Sequence, residues 1–145
     1  MRVLGLDVGQ RRIGVALSDS LGLTAQRLTV LMRQSLKGDL EAIVKLVSQH
    51  QVDSIIVGLP LTLRGECGPQ AQRVLGFANA LRHRVTVPVQ LVDERLTTAQ
   101  GERALLETDT SRRKRKQVID QVAAQLILQQ YLDTHRERQK VEGGG

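Results

Sequence analysis

Residues 2–18 read Arg2-Val3-Leu4-Gly5-Leu6-Asp7-Val8-Gly9-Gln10-Arg11-Arg12-Ile13-Gly14-Val15-Ala16-Leu17-Ser18, and this stretch decides how the rest of the chain must be arranged. Two short apolar runs, residues 2–7 and 13–18, flank a turn-like segment at 9–12, which is the pattern of two antiparallel strands joined by a tight hairpin. A third strand is expected over residues 24–31, where Leu28, Thr29 and Val30 favour extended backbone. From 37 to 50, Leu40, Ile43, Val44, Leu46 and Val47 recur at helical spacing, and Gly38-Asp39 stands where a cap belongs.

Further along, Ser54-Ile55-Ile56-Val57-Gly58-Leu59-Pro60 is continuously apolar and β-branched, which suits a central strand buried on both faces. Pro69 opens a second helix with Ala71, Val74, Leu75, Ala78 and Leu81 facing inward. Residues 85–92 return to strand character, with Pro88 restricting full pairing to the second half. Thr97-Thr98 can cap a helix reaching about 107, and residues 108–116, which contain no apolar side chain, read as a mobile loop. The last helix is expected from about 117 to 135, with Val118, Ile119, Val122, Ala123, Leu126, Ile127, Gln130 and Tyr131 tracing one face. The order β-β-β-α-β-α-β-α-α places antiparallel strands first and helical crossovers later. An α/β fold follows, a five-stranded mixed sheet flanked by helices.

The 145 residues fit one domain, assigned to 1–135, with a charged tail at 136–145 that closes in Gly143-Gly144-Gly145 and is expected to be disordered. Lys and Arg number 21 against 15 Asp and Glu, giving a formal charge of +6, and the hydrophobic share of 41% is that of a globular protein. No apolar run reaches the roughly 18 to 20 residues that span a bilayer, so a cytoplasmic protein without a membrane partner is expected. The single cysteine, Cys67, excludes an intramolecular disulfide and a cysteine-rich zinc site. With one Phe, one Tyr and no Trp, base-stacking platforms are excluded too, and any nucleic acid must be bound through charge and shape.

The carboxylates point to the chemistry. Asp7 ends the first strand and Glu94, preceded by Asp93, ends the fifth, so both acids can emerge at the carboxyl edge of the sheet, where α/β proteins build their sites. Asp120 lies at the inward-looking start of the last helix. The plainer roles are a turn aspartate for Asp7 and a dipole-favoured acid near a helix N-terminus for Asp120. Brought together, the three form an oxygen donor set suited to Mg²⁺ or Mn²⁺. Such ions can activate water and stabilise a departing oxyanion without a side-chain base. His50, His83 and His135 all fall on helix surfaces or ends and are expected to be solvated. Arg112-Arg113-Lys114-Arg115-Lys116 puts five positive charges just before Asp120, placed to hold phosphates, and Arg11, Arg12 and Arg95 flank the first two acids. A solvated charged loop, and surface arginines that balance nearby acids, are the competing accounts.

Taken together, Gly5-Leu6-Asp7-Val8-Gly9, Arg12-Ile13-Gly14-Val15-Ala16-Leu17-Ser18-Asp19, Val57-Gly58-Leu59-Pro60, Asp93-Glu94-Arg95-Leu96-Thr97-Thr98 and Asp120-Gln121-Val122-Ala123-Ala124 resemble the YqgF family, also called RuvX, over nearly the whole chain. The resemblance implies an RNase H-like fold and a metal-dependent nuclease acting in 5′-end maturation of pre-16S ribosomal RNA. It also implies Asp7, Glu94 and Asp120 as catalytic metal ligands, with Asp19 and Asp93 as positioning candidates. The family is similar to RuvC-type Holliday junction resolvases, but those carry an acid at the end of the fourth strand, where this chain has Gly58-Leu59-Pro60. That departure counts against junction cleavage more than against metal binding.

The expected partner is therefore structured RNA (pre-rRNA) or branched DNA, with ribosomal particles as a further partner and a monomer or homodimer as the assembly. The alternatives are a resolvase-like DNA endonuclease and a nucleic-acid-binding module without catalysis. An actin-like phosphotransferase ranks last, because it would enclose its nucleotide between two domains.

Overall fold

A computed structural model describes residues 1–96 and 122–136. Its elements in chain order are β1 (Val3–Val8), β2 (Arg12–Ser18), β3 (Ala25–Met32), α1 (Leu36–Gln49), β4 (Ser54–Leu59), α2 (Pro69–Arg82), β5 (Val89–Asp93) and a 3₁₀ turn at Glu94–Leu96. A helix over residues 122–136, here α3, completes them. The strands form one sheet in the order β3-β2-β1-β4-β5. β1 pairs antiparallel with β2, and β2 antiparallel with β3, as the opening hairpin requires. On its other side β1 pairs parallel with β4, and β4 parallel with β5.

Both parallel connections step the same way across the sheet, from β1 to β4 to β5. The right-handed rule for such crossovers then puts α1 and α2 on the same face. That face holds the larger core, where Leu40 and Ile43 of α1 and Val74, Phe77, Ala78 and Leu81 of α2 pack on Leu4, Leu6, Val57 and their neighbours. The opposite face is left for α3, whose Ala124, Ile127, Leu128 and Leu132 cover Val3, Ala16 and Ile56.

α3 lies close to the sheet because two of the residues beneath it are glycines. A Cβ on Gly5 would stand 2.9 Å from the Leu128 Cβ and 3.4 Å from the Ala124 carbonyl oxygen, and one on Gly58 would stand 2.9 Å from the Ile127 Cδ1. Two glutamines of α3 fasten the start of β3. The Gln129 side-chain oxygen accepts from the Ala25 N–H at 2.8 Å, and the Gln125 amide donates to the Ala25 carbonyl at 3.1 Å.

Several expected boundaries move. The cap of α1 is Ser35, whose hydroxyl accepts from the Gly38 N–H at 3.1 Å, whereas Asp39 is buried and ion-paired inside the first turn. β5 ends at Asp93, so Glu94 opens the 3₁₀ turn and is not the last strand residue. Ala123 and Ile127 of the expected stripe are buried and Tyr131 packs at its edge, but the face turns to take in Ala124, Leu128 and Leu132, leaving Leu126 and Gln130 half-buried. The helix also continues through Arg136, past the expected domain end at 135. Arg136 and Gln129 both donate to Asp133 along the helix, the one a charge pair and the other an amide, and support this turn. The expected helix at 97–107, the loop at 108–116, the start of the last helix at 117–121 and nearly all of the tail lie outside the described residues.

The close approach at Gly5 makes a quantitative prediction. Gly5→Ala should cost about 1 to 3 kcal/mol in urea-induced unfolding through overpacking. Gly76→Ala in α2, where nothing lies within 4 Å of the added Cβ, should stabilise the protein by about 0.5 to 1 kcal/mol.

Candidate active site

Pleating decides which way Asp7 faces. Leu4, Leu6 and Val8 belong to the α1 and α2 side of the sheet, so Val3, Gly5 and Asp7 belong to the α3 side. Asp7 is 9% exposed and Glu94 2% exposed, so both carboxylates are buried. Glu94 follows β5, and its side chain turns back over β4. Its Oε2 lies 3.4 Å from the point a Gly58 Cβ would occupy, beside Ile127 of α3. Because Leu6 pairs with Val57 and Gly58 with Val92, the carboxyl ends of β1, β4 and β5 are neighbours. Asp7 and Glu94 thus share one end and one face of the sheet.

Gly58 therefore has a positive role. The sequence shows β4 ending without an acid, and the structure brings the carboxylate of Glu94 to that strand end from the next strand. A side chain at 58 would compete for the space. Asp120 lies outside the described residues, and among the described residues no three His, Cys, Asp or Glu side chains form a metal-binding group. In donor chemistry, the carboxylate oxygens of the buried Asp7 and Glu94 are of the hard kind that suits Mg²⁺ or Mn²⁺.

The basic residues divide into three groups. Arg11 is exposed in the β1–β2 turn and Arg12 half-buried at the start of β2, both at the same sheet end as Asp7. Arg95 is held by Asp93, its Nη2 donating to Oδ2 at 2.8 Å and its Nε to Oδ1 at 3.1 Å. The Arg95 guanidinium also lies against Gly65, whose positive φ of 82° turns the loop after β4, and donates to the Leu63 carbonyl. Residues 112–116 lie outside the described residues.

Asp19 sits at the opposite end of the sheet. β2 runs antiparallel to β1, so its last residues return to the amino end of β1, where the Ser18 hydroxyl accepts from the Val3 N–H. There the Asp19 carboxylate accepts from the Leu23 N–H at 2.8 Å and the Thr24 hydroxyl at 3.2 Å, closing the β2–β3 turn. These bonds, that from Leu23 foremost, hold its pKa below the usual carboxylate value. His83 and His135 are exposed and His50 is half-buried, each at or near a helix end.

One group escapes sequence reading. Arg33 donates from Nε to the buried Asp39 at 3.1 Å and from Nη1 to the Gly9 carbonyl at 3.0 Å, and it lies over the Phe77 ring at 5.4 Å. Its own N–H donates to the Arg11 carbonyl at 2.9 Å. The turn that follows Asp7 is thereby tied to α1 and α2. An Arg six residues before an Asp was the available signal, and it is a weak one.

A mixed sheet in this strand order, with acids gathered at the carboxyl ends of β1 and β5 beneath a C-terminal helix, defines an RNase H-like fold. Solved structures with the same arrangement include T. thermophilus RuvC in complex with a Holliday junction substrate, with a TM-score of 0.58 and 16% identity over 94% of this chain and 96% of that one. The fowlpox virus Holliday junction resolvase matches with a TM-score of 0.53 and 12% identity over 92% of this chain and 99% of that one.

The family model described as "RuvX: Holliday junction resolvase" matches residues 1–134, and the chain belongs to that family, a group of resolvase-like nucleases. A relative from Moorella thermoacetica named "Putative pre-16S rRNA nuclease" is 56% identical over 133 residues, 92% of this chain and 95% of its own length. A Myxococcus xanthus protein of the same name is 52% identical over 136 residues, 94% of this chain and 90% of its own.

The Asp93–Arg95 pair fixes a pH dependence. The side-chain bond from Arg95 lowers the Asp93 pKa, so the pair's contribution is complete above the ordinary carboxylate range and fades as pH falls through the lower folded value. NMR titration of Asp93 should show that lowered value, moving up toward the ordinary carboxylate range in Arg95→Gln. An Asp93 titration that ignores the substitution would contradict this cause.

Proposed function

We propose that the chain is a divalent-metal-dependent nuclease that hydrolyses phosphodiester bonds of structured RNA in maturing the 5′ end of pre-16S rRNA. In this reading Asp7, Glu94 and Asp120 are the catalytic ligands of Mg²⁺ or Mn²⁺. The observation that carries it is the burial of Asp7 and Glu94 on one face at one end of the sheet, Glu94 lying against Gly58. The names of the relatives support RNA as the substrate. The family description supports branched DNA as a second reading, and the Glu94 carboxylate at the end of β4 weakens the objection that this strand end lacks an acid.

A bound divalent ion supplies Lewis-acid chemistry, easing both the formation of the attacking hydroxide and the departure of the 3′-oxyanion. The protein's part is to hold the carboxylates ionised and fixed on the strand ends, and to place the substrate. Arg11 and Arg12, on the turn after Asp7, hold phosphates beside the acids, and Arg95, braced by Asp93, presents its guanidinium at the opposite rim. Arg112, Arg113, Lys114, Arg115 and Lys116 extend the basic surface. Ribosomal particles are the natural setting of such a substrate, and the cytoplasm its location.

The test is cleavage of a labelled pre-16S rRNA fragment and of a four-way DNA junction with Mg²⁺, Mn²⁺ or EDTA. RNA cutting that requires the ion should fall at least about a thousandfold in Asp7→Asn and in Glu94→Gln, the loss of several kcal/mol of transition-state stabilisation. Junction cutting alone would replace RNA with branched DNA. Binding of both probes without cutting by wild type would leave a binding module.

The basic run makes a separate prediction. Replacing residues 112–116 with Ser should flatten the dependence of RNA affinity on salt, and an unchanged slope would remove them from the interface.

A further inference from the structure

On the other side of the β1–β2 turn from the two acids, an open cleft of about 450 Å³ separates that turn from the starts of α1 and α2. We propose that this cleft binds one nucleotide of the substrate strand, a subsite flanking the reacting phosphodiester. The inference rests on the nuclease reading and adds to it a place for the strand that leaves the site. Its chemistry is two-sided. Leu36, 50% exposed as the first residue of α1, supplies apolar surface that a sugar or base edge can cover, with the buried Val8 and Val74 at the cleft's floor. Facing them are donors: Arg73 and Gln70 on α2 and Gln10 in the turn.

Arg73 is exposed and makes no ion pair or hydrogen bond among the described residues. Among the described residues the cleft's one acid, Asp39, is already committed, accepting from Arg33 Nε at 3.1 Å and from the Gln34 N–H at 3.1 Å. Arg33 Nη2, with Nε and Nη1 both occupied, keeps its donors without a hydrogen bond among the described residues. The cleft therefore presents net positive charge beside apolar surface, the pairing that a nucleotide's phosphate and sugar require. Its volume is in the range of small-molecule sites. The Val8–Arg12 turn is common to both places: it follows Asp7 on one face of the sheet and lines the cleft on the other.

The test is fluorescence anisotropy of the labelled pre-16S rRNA fragment and the four-way junction across a salt series, in an Asp7→Asn background with Mg²⁺ so that substrate persists. On whichever probe the parent binds, Arg73→Ala should weaken affinity about tenfold at low salt and reduce the salt slope by about one. Arg84→Ala, which removes the same charge just beyond the far end of α2, should do neither. Leu36→Glu should weaken binding further while leaving the melting temperature at or above the parent value, because a helix N-terminus favours an acid. If Arg73→Ala and Arg84→Ala behave alike, the cleft is no subsite and the nuclease reading stands. If the parent binds neither probe, both the subsite and the nuclease reading fall.

Discussion

The contact on which the arrangement depends is the one between α3 and the two bare backbone positions beneath it, Gly5 and Gly58. With no side chain at either place, Ala124, Ile127 and Leu128 settle directly on β1 and β4. The same omission at Gly58 leaves the space into which Glu94 folds. Packing and chemistry are thus coupled at one residue: whatever pushed the helix off the sheet would also displace the carboxylate. Interiors this dense accommodate very little change in volume.

Why the two acids meet follows from parity and direction. Asp7 lies two residues beyond Gly5 and four beyond Val3, so it faces α3 by the strict alternation of a strand, and a one-residue slip of register would turn it to the other core. β4 and β5 run parallel to β1, so their carboxyl ends arrive at the same edge. Antiparallel β2 does the reverse, which is why Asp19, though close to Asp7 in the family motif, serves the far turn.

Much of this was legible in the sequence where a pattern is local. The hairpin of residues 2–18, the buried run at β4 and the helical spacing of α1 are read from period and β-branching, and the elements form within a residue or two of expectation. Pro88 correctly confined β5 to its second half. What failed depended on three dimensions. The buried face of α3 shifts toward Ala124 and Leu128, which rest on Gly5, and Ser35 caps α1 while Asp39 is taken up by its ion pair with the half-buried Arg33. Of the candidate site, the placing of Asp7 at the end of β1 and of Glu94 next to the end of β5 was legible, but the bend of Glu94 over Gly58 and the Arg33 brace were not. Both join residues whose relation appears only once the sheet has formed.

The glutamine bonds from α3 to Ala25 span 100 and 104 residues of chain. During synthesis the sheet and its first two helices leave the ribosome well before the segment that closes the second face. Until then Val3, Ala16 and Ile56 stay uncovered, and Glu94 lacks the wall formed by Ile127. Contacts this distant in sequence form late. The nascent chain is consequently a half-clad sheet until α3 covers its second face.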